Sequence, residues 1–156
     1  MVTTKINLQE HLIEYCTGKF NHCTPGPVQF PDRLDIYHVI FDLLERRPAN
    51  CPIDYGNFEI VLPARDVGKR PETYNYLGQR SELIIAKRIE LMMWAELHDY
   101  LDEQKHQYGY LYVTSVHSFM RKYDIRSLTE DAFLKNYYRW RDRVRHKEKK
   151  REYARK

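Results

Sequence analysis

Between Ser81 and Lys105 apolar residues return every three or four positions: Ile85, Ile89, Met93, Leu97 and Tyr100, with Ala86, Met92 and Leu101 beside them. At 3.6 residues per turn these share one face, so the spacing predicts a long amphipathic helix, capped by Ser81, that acts as a central strut. Two shorter helices precede it. Over residues 8–20, Leu8, Leu12 and Tyr15 fall on one side, with Asn7 as N-cap, Glu10 three residues on, and Gly18 as the stop. In "RLDIYHVIFDLLERR", Leu34, Tyr37, Phe41 and Leu44 repeat at helical spacing behind an Asp32 cap, and Pro48 ends the run. Ile36, Val39, Ile40 and Leu43 widen its apolar arc, so this helix is expected to be mostly buried.

Elsewhere the period changes. "NHCTPGPVQFP" holds three of the seven prolines and predicts an extended connector. "PIDYGNFEIVLP" alternates at Phe58, Ile60 and Leu62, which predicts a short strand or hairpin around 53–62. "YGYLYV" at 108–113 reads either as a strand or as the lead-in to a helix through Val116, Phe119, Met120 and Tyr123. After "DIRSL", with Ile125 buried, Thr129 caps a last helix whose Phe133, Tyr137, Trp140 and Val144 form one stripe. Glu130 and Asp131 suit the positive end of that helix. The expected fold is mainly α: a helical domain over 1–128 with a small β element, and a basic C-terminal helix or arm over 129–156 packed on it.

Charge sharpens the picture. Eleven of the 26 Lys/Arg but only three of the 22 Asp/Glu lie in 135–156, so that stretch carries +8. Residues 1–134 keep 15 bases against 19 acids, a net −4, although the chain as a whole is +4. Such asymmetry points to nucleic acid or an anionic surface. Thirteen tyrosines supply side chains equally suited to cores, interfaces and base stacking. No secretory h-region opens the chain, and the longest apolar runs, "LIIA" and "LMMWA", are far too short to span a bilayer. Three cysteines, an odd number, fit reduced thiols in a cytoplasmic setting.

Candidate chemistry removes more than it adds. There is no GxSxG, glycine-rich phosphate loop or HExxH, and Gly68-Lys69 lacks the flanking residues a phosphate loop needs. Cys16, His22, Cys23 and Cys51, with His11 or His38 nearby, contain no CxxC or HxxxH pair, so no metal or other cofactor is expected. Met92, Met93 and Trp94 read as core filler rather than a cofactor site. A non-enzymatic protein with no small-molecule substrate is the expectation.

"SVHSFMRKY", "DIRSL" and "TEDAFLKNYYRWRDRVRHK" make a short helix, a tight turn and a longer basic helix. Over residues 115–141 the chain resembles the helix-turn-helix DNA-binding proteins of bacteria and phages. The resemblance implies that 115–123 is a supporting helix and that 129–147 enters the major groove, with Lys135, Asn136, Arg139 and Arg143 as contacts. The acidic head moves that contact to the middle and distal turns. Arg141, Arg145, Lys147, Lys149, Lys150 and Arg151 are expected to hold phosphates. DNA is the expected partner, with RNA as an alternative for an arginine-rich helix, and pairing into a homodimer would span two half-sites. Two other readings compete: a phage or mobile-element assembly protein working through protein contacts, and a merely solvated helix held by pairs such as Asp142–His146 and Glu148–Arg151.

Overall fold

The computed structural model describes residues 1–52 and 55–155. In chain order its elements are β1 (Thr3–Ile6), α1 (Glu10–Phe20), α2 (Asp35–Leu43), β2 (Phe58–Val61), α3 (Gln79–Tyr108), α4 (Tyr112–Tyr123) and α5 (Glu130–Ala154). The protein is mainly α with one small antiparallel sheet. The expected alternation is present, with Phe58, Ile60 and Leu62 all buried, but the partner strand is not local. β2 pairs with β1, Thr3 opposite Val61 and Ile6 opposite Phe58, so no 52–63 hairpin forms across the described residues; positions 53 and 54 lie outside them. Strand β1 has no signature in the sequence because four residues, "TTKI", are too few to show a period, although Thr4 and Ile6 are buried. The proline-rich connector is not extended throughout: it opens with a turn in which His22 and Cys23 have left-handed backbone, and further on its Val28 joins the sheet by a single parallel bridge to Ile60.

Helix caps differ most from expectation, because groups distant in sequence take over the role expected of the neighbouring side chains. Gln9, not Asn7, precedes α1, and the corner between β1 and α1 is closed by Asn57, which accepts from the Leu8 N–H and donates to the Leu8 carbonyl, both at 2.9 Å. Leu34 rather than Asp32 precedes α2. Gly78 precedes α3, which leaves Ser81 buried inside the first turn. At its other end α2 stops at Leu43, short of Pro48, since Glu45 exchanges two backbone hydrogen bonds with Tyr76. Lys69 then caps α2 by donating to the carbonyls of Phe41 and, at 2.6 Å, Asp42.

Gly18 does not end α1. It lies within the helix, where a Cβ would come 2.6 Å from the carbonyl oxygen of Tyr123 and 2.7 Å from its Cα, so glycine is what lets α1 meet the end of α4. Gly109 is the true terminator: with φ +70° it turns α3 off, and the N–H groups of Gly109 and Tyr110 bond the carbonyls of Lys105 and Gln104. Residues 108–113 are therefore a helix–helix corner and not a strand.

Four of the five residues of the predicted α3 stripe, Ile85, Ile89, Met93 and Leu97, are 0% exposed, as is Leu101 beside them, while Tyr100 is only half-buried; α3 contacts each of the other four helices. It is the strut that its spacing predicted. One hydrophobic cluster runs from Ile6 to Tyr137, so the first half of α5 packs into the core. Cys16 is buried in that core, Cys23 is exposed, and all three cysteines are unpaired. No described helix is long and apolar enough to cross a membrane.

Candidate nucleic-acid interface

The first half of α5 is anchored and the second half is free. Thr129 Oγ1 accepts from the Ala132 N–H at 3.3 Å, as its position predicts. The acids of the first turn are both paired, Glu130 with His117 Nε2 at 2.9 Å and Asp131 with Lys135 Nζ at 2.7 Å. In the turn before them Asp124 adopts a left-handed backbone, φ 52°, the conformation a glycine usually supplies. That lets the Ile125 N–H reach the Met120 carbonyl at 2.9 Å while the Ile125 side chain is buried. Glu14 of α1 fastens the turn from outside, accepting from the N–H groups of Arg126 and Ser127 and, at 2.7 Å, from the Ser127 hydroxyl.

Along α5 burial fades in register with the stripe. Phe133 and Tyr137 are 0% exposed, Trp140 is half-buried against His98, and Val144 is only partly covered. Trp140 thus sits at the edge of the core and not within it. From Arg145 to Arg155 every residue is exposed, a run of about 16 Å at 1.5 Å per residue. Among the described residues none of the bases there is in an ion pair, and neither Asp142–His146 nor Glu148–Arg151 closes. The solvated-helix reading loses the local pairs it relied on.

The ten expected contact residues therefore separate into groups. Arg145, Lys147, Lys149, Lys150 and Arg151 are on the free segment. Arg139 is exposed, and Lys135 is exposed but paired with Asp131. Asn136 is turned inward: its Oδ1 is 2.7 Å from His98 Nε2, so the atom that would read an adenine amino group is occupied by α3. Three residues of helix separate Asn136 from Arg139 by about 60°, enough to put one on the packed side and the other outside. Arg143 donates to the Arg139 carbonyl at 3.4 Å and stands at the rim of a groove of about 440 Å³, with Trp94, His98, Asn136 and Trp140. Arg141 is half-buried, its guanidinium 4.9 Å from the ring centre of Tyr138 and 5.9 Å from those of Tyr112 and Tyr137.

His98 carries no spacing signal in the sequence, being one polar residue among many on an amphipathic helix. It is 7% exposed, stacked 4.4 Å from Trp140 at 15°, and bonded to Asn136, so it ties α3 to α5. Burial holds its pKa below the ordinary 6.5 and Arg143 adds to this, while the Asn136 bond, Asp102 and Asp99 act in the opposite sense. Burial lowers His11 as well, against Glu90 and Glu14. An unfolded histidine takes its proton as the pH falls through 6.5, before the folded one does, so stability decreases below 6.5 until the folded pKa is passed. Thermal midpoints measured from about pH 7.5 to about pH 5 should fall for the wild type and fall less for His98→Gln. Parallel curves for the two proteins would show that His98 does not contribute.

Among the described residues no group of three His, Cys, Asp or Glu side chains is arranged to hold a metal ion. A mainly α protein with one core and a projecting basic helix is the class these observations define. No protein family, curated protein or solved structure matches the chain.

Proposed function

We propose that the chain is a non-enzymatic DNA-binding protein that engages the phosphate backbone through α5, as a regulatory or accessory factor in transcription, replication or the biology of a mobile element. One observation carries this reading: the distal half of α5 projects beyond the core with its bases exposed and, among the described residues, in no ion pair, on a body whose own charge is negative. Duplex DNA offers a negative charge about every 1.7 Å along its axis, a density the acidic body repels and the arm attracts. The resemblance to helix-turn-helix proteins adds a supporting helix, α4, and a turn held by Glu14. Arg139 and Arg143 are then the residues placed to meet base edges, and Asn136 positions α5. A cytoplasmic location belongs to the same reading.

Deletion of residues 142–156 tests it. The truncated chain keeps Phe133, Tyr137 and Trp140, so it should stay folded, bind a DNA duplex at least about tenfold more weakly, and show a shallower dependence of log K on log salt. RNA added as competitor distinguishes the two polymers. Unchanged affinity and slope would remove α5 as the anchor.

A second reading is favoured by a different surface. Leu83, Ile84 and Leu91 of α3 are 68%, 38% and 52% exposed, and Leu83 lines a groove of about 370 Å³ with Leu8 and Leu12, which suits an assembly protein acting through protein contacts. Concentration-dependent sedimentation that Leu83→Glu abolishes would support it.

A further inference from the structure

Three tyrosines lie outside the core, two at the corner between α3 and α4 and one on α5. Tyr108 is 60% exposed, Tyr110 51% and, across on α5, Tyr138 37%. Tyr108 and Tyr110 flank the sharp turn at Gly109, where every residue from His106 to Leu111 is exposed. These rings do not stand singly. Tyr108 and Tyr110 are 6.1 Å apart, and Tyr112 lies 6.0 Å edge-on from Tyr138. Two cations are built into the group: Lys105 Nζ is 5.6 Å from the Tyr112 ring centre, and Arg141 lies over Tyr112 and Tyr138. Among the described residues neither is in an ion pair, and Arg141 Nε has no hydrogen-bond partner, so rings and not acids hold the guanidinium.

We propose that Lys105, Tyr108, Tyr110, Tyr112, Tyr138 and Arg141 form a stacking platform for unpaired bases, so that this protein binds single-stranded nucleic acid. The proposal rests on the reading of α5 as a nucleic-acid-binding helix and names its substrate class. Exposed aromatic faces interleaved with unpaired cations are what a strand of bases and phosphates requires: stacking is indifferent to sequence, and each cation meets a phosphate. The platform adjoins the basic arm, since Arg141 stands on α5 four residues before Arg145, where the free segment begins. That proximity favours nucleic acid over a protein partner, for which the same rings would serve without uncompensated charge. A junction between duplex and single strand would engage both parts, phosphates of the duplex along α5 and splayed bases at the tyrosines.

Three labelled probes test this by fluorescence anisotropy on the full chain: a thymidine homopolymer of about 20 nucleotides, an abasic oligomer of equal length and charge, and a blunt duplex. The homopolymer should bind about tenfold more tightly than the abasic oligomer. Tyr110→Ala and Tyr138→Ala should each weaken homopolymer binding about tenfold and leave duplex binding unchanged, while Tyr110→Phe and Tyr138→Phe keep wild-type affinity, because stacking needs the ring and not the hydroxyl. Circular dichroism melts confirm that the alanine variants fold. Equal affinity for homopolymer and abasic oligomer, or alanine variants that bind like wild type, would overturn the platform. So would loss of self-association on Tyr110→Ala without any change in homopolymer binding, which assigns the rings to a second copy. If deletion of 142–156 abolishes duplex binding while the tyrosine variants change nothing, the α5 reading stands and the platform fails; a wild type that binds none of the probes refutes both.

Discussion

Phe119→Ala should cost about 4 kcal/mol, the range expected when a buried aromatic ring is cut to a methyl. Phe119 is 1% exposed and meets four other rings: Tyr15 on α1, Tyr100 on α3, Tyr123 on its own helix and Phe133 on α5, at centroid distances of 6.5, 5.9, 5.2 and 6.1 Å. Four helices therefore share one side chain. The neighbouring rings are held by other contacts, Tyr15 and Tyr123 by Glu96 and Phe133 by Trp94, so they are poorly placed to collapse into the void. Urea unfolding of wild type and variant measures the loss directly. A difference below about 1 kcal/mol would mean that the junction repacks freely, and that α5 is not coupled to α1 through this ring.

The second large effect is expected at Glu96, at about 3 kcal/mol for Glu96→Ala. This carboxylate accepts from the hydroxyls of Tyr15 and Tyr123 and from the amine of Lys19, and so joins α1, α3 and α4. Removing it leaves three donors at a partly buried site without their acceptor, and an unsatisfied donor costs more than a hydrogen bond returns. Burial alone would raise the Glu96 pKa, but the donors Lys19, Tyr123 and Tyr15 together bring it below the ordinary 4.5. Burial and the bonds to Glu96 raise both tyrosines in turn, so neither hydroxyl ionises at neutral pH. The pH dependence follows from that sign. The unfolded carboxyl binds its proton near 4.5 and the folded one only lower, so the stabilisation is complete above 4.5 and is lost as the pH falls through the folded value. Comparing unfolding at about pH 7 and about pH 3.5 should show the gap between wild type and Glu96→Ala narrowing in acid. A gap of the same size at both would assign the effect to packing instead of charge.

Most of the helical architecture was legible because helices are specified by neighbours. The stripe Ile85, Ile89, Met93, Leu97 lies within one segment, and any helix that buries it must put those four residues together. The basic arm was legible for the same reason, charge being countable along the chain, and so was Thr129 as a cap with its bond to Ala132. Partners distant in sequence were not. Strand β1 needed β2, more than 50 residues away, and the corner that Asn7 was expected to cap is closed by Asn57. Gly18 reads as a helix stop by propensity, and only the approach of Tyr123 shows why a side chain does not fit there. The inward turn of Asn136 depended on a histidine on another helix, the pairing of Tyr108 with Tyr110 on a corner set by Gly109, and that of Tyr112 with Tyr138 on the packing of α5 against α4. Composition and spacing by themselves determined that this protein is mainly helical and ends in a basic helix. Which bases remain free and which aromatics remain outside was decided only by the tertiary structure, because both depend on what the packing of distant segments leaves uncovered.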